Sequence, residues 1–236
     1  MSDIAIIVLV SWLAGAAAFF GGLFARFEGS PETIGKREFT HGVVGFGGGV
    51  LVAAIALALV PEGVSTLSPP VLAMVFCLGG VVFCFVDARL SMQGGSKAQF
   101  MAMLLDFVPE AIAMGAVFVH NRRLGIVLAL FIGVQNLPEG FNAFREIVAS
   151  RARPRDALTV LFSISFLGPV AASAGYLLLH GRESLTAGIM SFAAGGILYL
   201  IFQDIAPQAK MRRHWIPPLG AVLGFTVGMI GTQVLG

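Results

Sequence analysis

The sequence predicts an all-α membrane protein: eight transmembrane helices with inverted pseudo-symmetry (3+2+3), both termini extracytoplasmic. Three observations predict it. The 236 residues are 57% hydrophobic and only 12% charged, with a mean hydropathy of +0.88, whereas a soluble domain is about one-quarter charged. Apolar runs long enough to cross a bilayer recur along the whole chain. The Lys and Arg residues fall unevenly between the loops that join those runs.

The runs are Ile4–Phe24, Gly42–Val60, Val71–Val86, Phe100–Val119, Leu124–Ile147, Leu158–Leu179, Leu185–Ile205 and Pro217–Leu235. The first is preceded by Asp3 and by no Lys or Arg, and no A-x-A site stands before the charged loop. It therefore reads as a span and not as a signal peptide. The third is the shortest and carries Cys77 and Cys84, seven apart on one helix face. That spacing is too long for a disulfide between them, and buried apolar thiols are expected. All eight runs are continuous, without the alternation a membrane strand requires. The longest loops, Ala25–His41 and Ile147–Asp156, are polar, and Ser91–Gln99 is a short Gly/Ser linker. No soluble domain fits, so residues 1–236 read as a single transmembrane domain.

Arg122, Arg123 and Arg182 fall on the side of the N-terminus, and the other twelve of the 15 Lys and Arg on the opposite side. The richer side is cytoplasmic by the positive-inside rule. The expected location is the plasma (inner) membrane, with lipid as a partner. The net charge of +2 gives no reason to expect nucleic acid.

Two internal echoes cross this pattern. Asp106–Gly115 (DFVPEAIAMG) matches Gln135–Phe144 (QNLPEGFNAF) as polar–x–x–Pro–Glu–small. Gly49–Gly63 (GVLVAAIALALVPEG) matches Gly195–Ala209 (GGILYLIFQDIAPQA), each placing a Pro twelve residues after its first Gly. Both echoes pair helices expected to run in opposite directions. Inverted pairs of Pro-interrupted helices point to a transporter with a midplane site.

Asp106, Glu110, Glu139 and Asp204 lie within or near spans. A charge at mid-bilayer costs roughly 2.5 kcal/mol or more, so such acids face other helices, water or a partner. No Lys or Arg is expected at similar depth, which leaves a bound cation or protonation to neutralise them. Asp106 and Glu110 are four apart and share a helix face; Gln135 and Glu139 repeat the spacing, with Asn136 three before Glu139. Pro109 and Pro138 would free the Leu105 and Val134 carbonyls as further acceptors. A lone Gln or Asn in a span is as readily interhelical glue, but two matched Pro-Glu motifs favour a cation site. Glu62, Gln203 and Asp204 are pathway candidates; a solvated interfacial role serves Glu62 as well, and a helix-end role serves Asp204. Met101, Met103 and Met114 read as packing, and His41, His120, His180 and His214 fall at loop edges. H-E-x-x-H and G-x-S-x-G are absent, so nothing points to an enzyme.

The motifs QNLPEG and DFVPEA and the GGILYLIFQDIAPQA helix resemble those of the ZIP family of divalent-metal transporters, over nearly the whole chain. The resemblance implies uptake of a divalent cation (Zn, Mn, Fe or Cd) toward the cytoplasm by alternating access. It implies no prosthetic group, a homodimer, and metal ligands at Asp106, Glu110, Gln135, Asn136 and Glu139. Three departures stand out: Asp106 where the family usually has His, Phe107 where it has Asn, and Gly168 where many members have Glu. The last two remove ligands from a second metal position, so one metal is expected. Oxygen-only ligands suit harder cations such as Mn or Mg. Two other readings share the fold: a metal-binding sensor without transport, and an inverted-repeat carrier for protons or organic cations.

Overall fold

The structure is a computed structural model that describes residues 2–29, 33–91, 96–179, 181–212 and 214–235; for 90–91, 96–106 and 235 it describes the backbone path alone. Eight helical rods follow one another, with no strand among the described residues: α1 (Asp3–Glu28), α2 (Ile34–Thr66), α3 (Pro69–Ser91), α4 (Ser96–Val117), α5 (Arg122–Ala149), α6 (Pro154–Leu178), α7 (Glu183–Ala209) and α8 (Ile216–Leu235). Seven are long and apolar enough to cross a membrane; α4 contributes Phe107–Val117 as a shorter apolar stretch. The rest of the expected fourth span, with Met101 and Met103, lies where side chains are not described, and His180 is also outside the described residues.

The rods outrun the apolar runs that mark them. The loop expected at Ala25–His41 is largely helical, because α1 continues to Glu28 and α2 already begins at Ile34, where the Thr33 side chain accepts from the Lys36 N–H at 3.3 Å. Glu, Lys and Arg are good helix formers and continue a helix beyond the hydrocarbon boundary.

Glycine decides which rods pair. A Cβ on Gly140 of α5 would lie 2.0 Å from the Ala18 carbonyl oxygen of α1, and one on Gly21 of α1 would lie 1.9 Å from the Leu137 oxygen of α5. Equivalent reciprocal contacts join α4 to α6 through Gly115 and Gly175, α2 to α8 through Gly49 and Gly224, and α3 to α7 through Gly79 and Gly195. In lipid, apolar burial does not separate helix from helix, so close backbone approach supplies the association. Two sets of four result: α1, α4, α5 and α6 pack together, as do α2, α3, α7 and α8, with α2 against α5 and α4 against α7 between the sets. One such contact seats the Pro138 ring in the gap at Gly47, where a Cβ would meet it at 2.9 Å.

The longer echo has a structural counterpart. Ile55–Leu59 and Ile201–Ile205 are single π-helical stretches, each beginning six residues after the opening glycine and ending two before the proline. Pro61 and Pro207 cannot donate to the carbonyls four residues back, and the wider turn absorbs the misfit; π-bulges frequently mark functional sites. The two helices run oppositely, as expected: the start of α2 meets the end of α7 (His41 Nδ1 to Gln208 O, 2.5 Å), and Gly63 near the end of α2 packs on Ser191 near the start of α7.

Cys77 and Cys84 correct an expectation. They share a face of α3, but that face is exposed. Gly79 and Phe83 occupy the side of α3 that packs on α7, leaving the thiols exposed beside that contact, with Cys84 next to Tyr199 of α7.

Candidate functional site

The two Pro-Glu helices bring their polar groups together where α4 faces α5. Glu110, Gln135 and Asn136 are buried, with 4%, 0% and 2% exposure. The Gln135 Nε2 donates to Glu110 Oε2 at 2.5 Å, so the two motifs touch directly. Gln135 Oε1 is buried without a hydrogen-bond partner, an arrangement that costs roughly 1–3 kcal/mol unless something electropositive meets it. Glu139, one turn along, is half-buried, and its Oε1 is closed off from solvent. Both prolines sit inside continuous α-helix.

Two expected site residues stand differently. Asn136 turns toward α1, donating to the Ala14 carbonyl at 2.9 Å. This is the glue role open to a lone amide in a span, and it fixes α5 against α1. Asp106 lies on α4 one turn before Glu110, but its side chain is outside the described residues. Among the described residues no three His, Cys, Asp or Glu side chains gather as a metal-binding group; Glu110 and the Gln135 amide form the described heart of the site.

The pathway candidates separate. Glu62 meets His120 at 3.3 Å at one end of the bundle. Gln203 is exposed, whereas Asp204 is partly buried and accepts from Gln208 at 3.4 Å. Gln208 Oε1 in turn accepts from Asn142 at 2.8 Å, and Asn142 also donates to Glu146 at 3.1 Å. Asn142, Glu146 and Gln208 were not among the expected residues, yet a signal for the first two was present: Gln135, Glu139, Asn142 and Glu146 follow at +4, +7 and +11, a stripe on one face of α5. A second pair, Tyr199 donating to Asp87 at 3.0 Å, joins α7 to α3.

Arg145 falls inside the expected fifth span, Leu124–Ile147. It lies within α5, mostly buried, and pairs with Glu28 at the end of α1 while its guanidinium stands 4.8 Å from the Phe141 ring centre. Met114 is fully buried and packs in the core, as expected.

These features define an integral membrane protein with an acid–amide site enclosed between two proline-containing helices. The sequence model described as "ZIP Zinc transporter" matches residues 95–236, from α4 to the end of the chain, and the chain belongs to that family. It is similar to the zinc transporter GufA of Myxococcus xanthus, with 34% identity over 140 residues covering 58% of this chain and 54% of GufA. It is also similar to the zinc transporter SLC39A7 of Canis lupus familiaris and of Homo sapiens, each 26% identical over 129 residues, about half of this chain and 27% of each relative. The matches thus span little more than half of GufA and about a quarter of SLC39A7.

Proposed function

We propose that the protein carries a divalent metal cation across the membrane toward the cytoplasm by alternating access, with the cation held between α4 and α5. The observation that carries this reading is the Gln135–Glu110 contact: a buried carboxylate and a buried amide meet across two helices, and the amide oxygen lacks a hydrogen-bond donor. A cation answers both groups at once, through Glu110 and, after rotation of the amide, through Gln135 Oε1. Glu139 and Asp106, each one helical turn away, complete the oxygen shell, and Asn136 holds α5 in register with α1. Family membership and the zinc-transporting relatives support a metal as the cargo.

From Glu139 the stripe continues through Asn142 and Glu146 to Gln208 and Asp204. This gives a cation a succession of oxygen ligands toward the end of the bundle that carries most of the Lys and Arg. Glu62 with His120 marks the opposite end. Oxygen ligands favour harder cations than imidazole does, so the transporter accepts Mn and Fe beside Zn and Cd. The test is metal accumulation in cells expressing wild type or Glu139→Ala, with Zn, Mn, Fe and Cd offered separately. Wild type is expected to accumulate at least one of them well above the variant; equal accumulation for all four would overturn the reading.

A further inference from the structure

α7 and α8 both pack on α2 but make little contact with one another, so a furrow runs between them along the α2 surface. Its floor is bare because α2 presents Gly45, Gly48 and Gly49 there. Gly45 and Gly49 admit the α8 backbone: a Cβ would meet the Pro217 oxygen at 2.4 Å and the Ala221 oxygen at 2.0 Å. Gly48 admits Ile205 of α7, whose Cγ2 would stand 2.9 Å from a Cβ. The furrow has a volume of about 630 Å³, within the roughly 300–1,000 Å³ common to sites for small molecules. Val52 and Val222 line it and are exposed, so it opens sideways toward lipid.

The lining is apolar except for Thr226 and Lys210. The Thr226 hydroxyl donates to the Val222 carbonyl at 2.8 Å within its own helix, which leaves the Lys210 ammonium as the polar group open to a ligand. Lys210 is exposed at the end of α7. Among the described residues no acid pairs with it: Glu38 of α2 meets His214 at 2.5 Å, and Asp204 of α7 accepts from Gln208. On α8 the lining runs from Pro217 to Thr226, roughly 14 Å at the rise of an α-helix. Half of a hydrocarbon core of roughly 30 Å has the same length, so the furrow is as long as one leaflet is deep. Trp215, directly before α8, is 79% exposed. An exposed Trp at a helix end suits the headgroup boundary, and it stands at the same end of the furrow as Lys210.

We propose that this furrow binds one acidic phospholipid from the leaflet on the Lys- and Arg-rich side, with its headgroup on Lys210 and an acyl chain lying on α2 between α7 and α8. The occupant follows from charge and length together. One unpaired cation at the mouth of an apolar furrow complements an anionic head joined to an apolar tail, and basic pockets between membrane helices bind such headgroups. A helix from a second copy of the chain would cross the whole bilayer, whereas the furrow ends where one leaflet ends. The bound chain would rest on Ile201 and Ile205, in the π-helical stretch of α7, and so brace α7 against α2. This site is separate from the cation site between α4 and α5 and does not depend on it.

The test compares two lipids that differ in headgroup charge alone. Wild type, Lys210→Glu, Ala206→Phe and Lys36→Glu are purified in detergent, washed free of lipid and mixed with dioleoyl phosphatidylglycerol or dioleoyl phosphatidylcholine. Native mass spectrometry counts the lipid bound per chain, and thermal melting reads folding. Wild type is expected to hold one phosphatidylglycerol, with roughly fivefold preference over phosphatidylcholine, the effect of one lysine at an anionic surface, and to melt higher with it. Lys210→Glu is expected to lose the preference. Ala206 lines the furrow and is exposed, so Ala206→Phe is expected to fill the space and lose both lipids. Lys36, whose ammonium donates to the Glu28 carbonyl at 3.0 Å, makes the same charge change away from the furrow, and Lys36→Glu is expected to match wild type. Equal binding of the two lipids by wild type, or an unchanged preference in Lys210→Glu, would overturn the proposal. So would retention of the lipid by a folded Ala206→Phe variant. A wild-type dimer without lipid that Ala206→Phe converts to monomer would assign the furrow to a second copy and overturn it likewise. Lys210 is exposed, so the charge test stands even where Ala206→Phe fails to fold.

Discussion

Gln135 and Glu110 lie 25 residues apart in sequence, on two helices, and their side chains meet at 2.5 Å in a fully enclosed position. A hydrogen bond to a charged group is worth about 1.5–3 kcal/mol. Gln135→Leu removes that donor and the proposed oxygen ligand together, so metal affinity is expected to fall by roughly ten- to a hundredfold. Gln135→Glu keeps an oxygen there and should retain binding better. Titration calorimetry with Zn and Mn reads both.

Gly140 of α5 and Gly21 of α1 hold those helices at backbone contact. Gly140→Val is expected to destabilise by at least the roughly 1–3 kcal/mol typical of overpacking, because the obstacle is a carbonyl oxygen and not a flexible side chain. Gly35→Ala, where nothing lies within 4 Å of the new atom, is expected to leave the melting temperature in detergent unchanged.

The Arg145–Glu28 pair ties α5 to the end of α1, with side chains 15% and 13% exposed. Breaking a pair this enclosed from one side costs on the order of 3–5 kcal/mol, whereas replacing both charges with packed neutral groups is far less harmful. Arg145→Met is expected to lower thermal stability strongly, and Arg145→Met/Glu28→Leu to recover most of it. A double-mutant cycle in melting temperature measures the coupling.

Cys77 and Cys84 face outward on α3. Cys77→Ala is expected to change stability by less than about 0.5 kcal/mol, as for positions away from packed features. A membrane-permeant thiol reagent should label both in the folded protein; protection of either until denaturation would contradict the outward placement.

The outline of this protein was legible because lipid imposes a severe rule. Every spanning segment must satisfy its own backbone, so continuous apolar runs read directly as helices. The motif residues announced themselves for the same reason: Glu110, Gln135 and Glu139 are expensive in an apolar run. Helix ends were less legible, since polar helix formers at 25–28 and 34–41 carry no hydropathy signal. The stripe through Asn142 and Glu146 was present as spacing, but its connection to Gln208 spans 66 residues and follows from packing alone.

The sequence by itself determined the apolar helical runs, the two echoes and which polar residues are costly to bury, because periodicity and the cost of burying charge act locally. Only the tertiary structure decided which helices touch, and so that Asn136 serves α1 while Gln135 serves Glu110, that Arg145 is paired inside the bundle, and that the cysteines face out. Such choices depend on which backbones approach within contact distance. That distance is set by glycines on two chain segments at once, so neither segment's sequence states it alone.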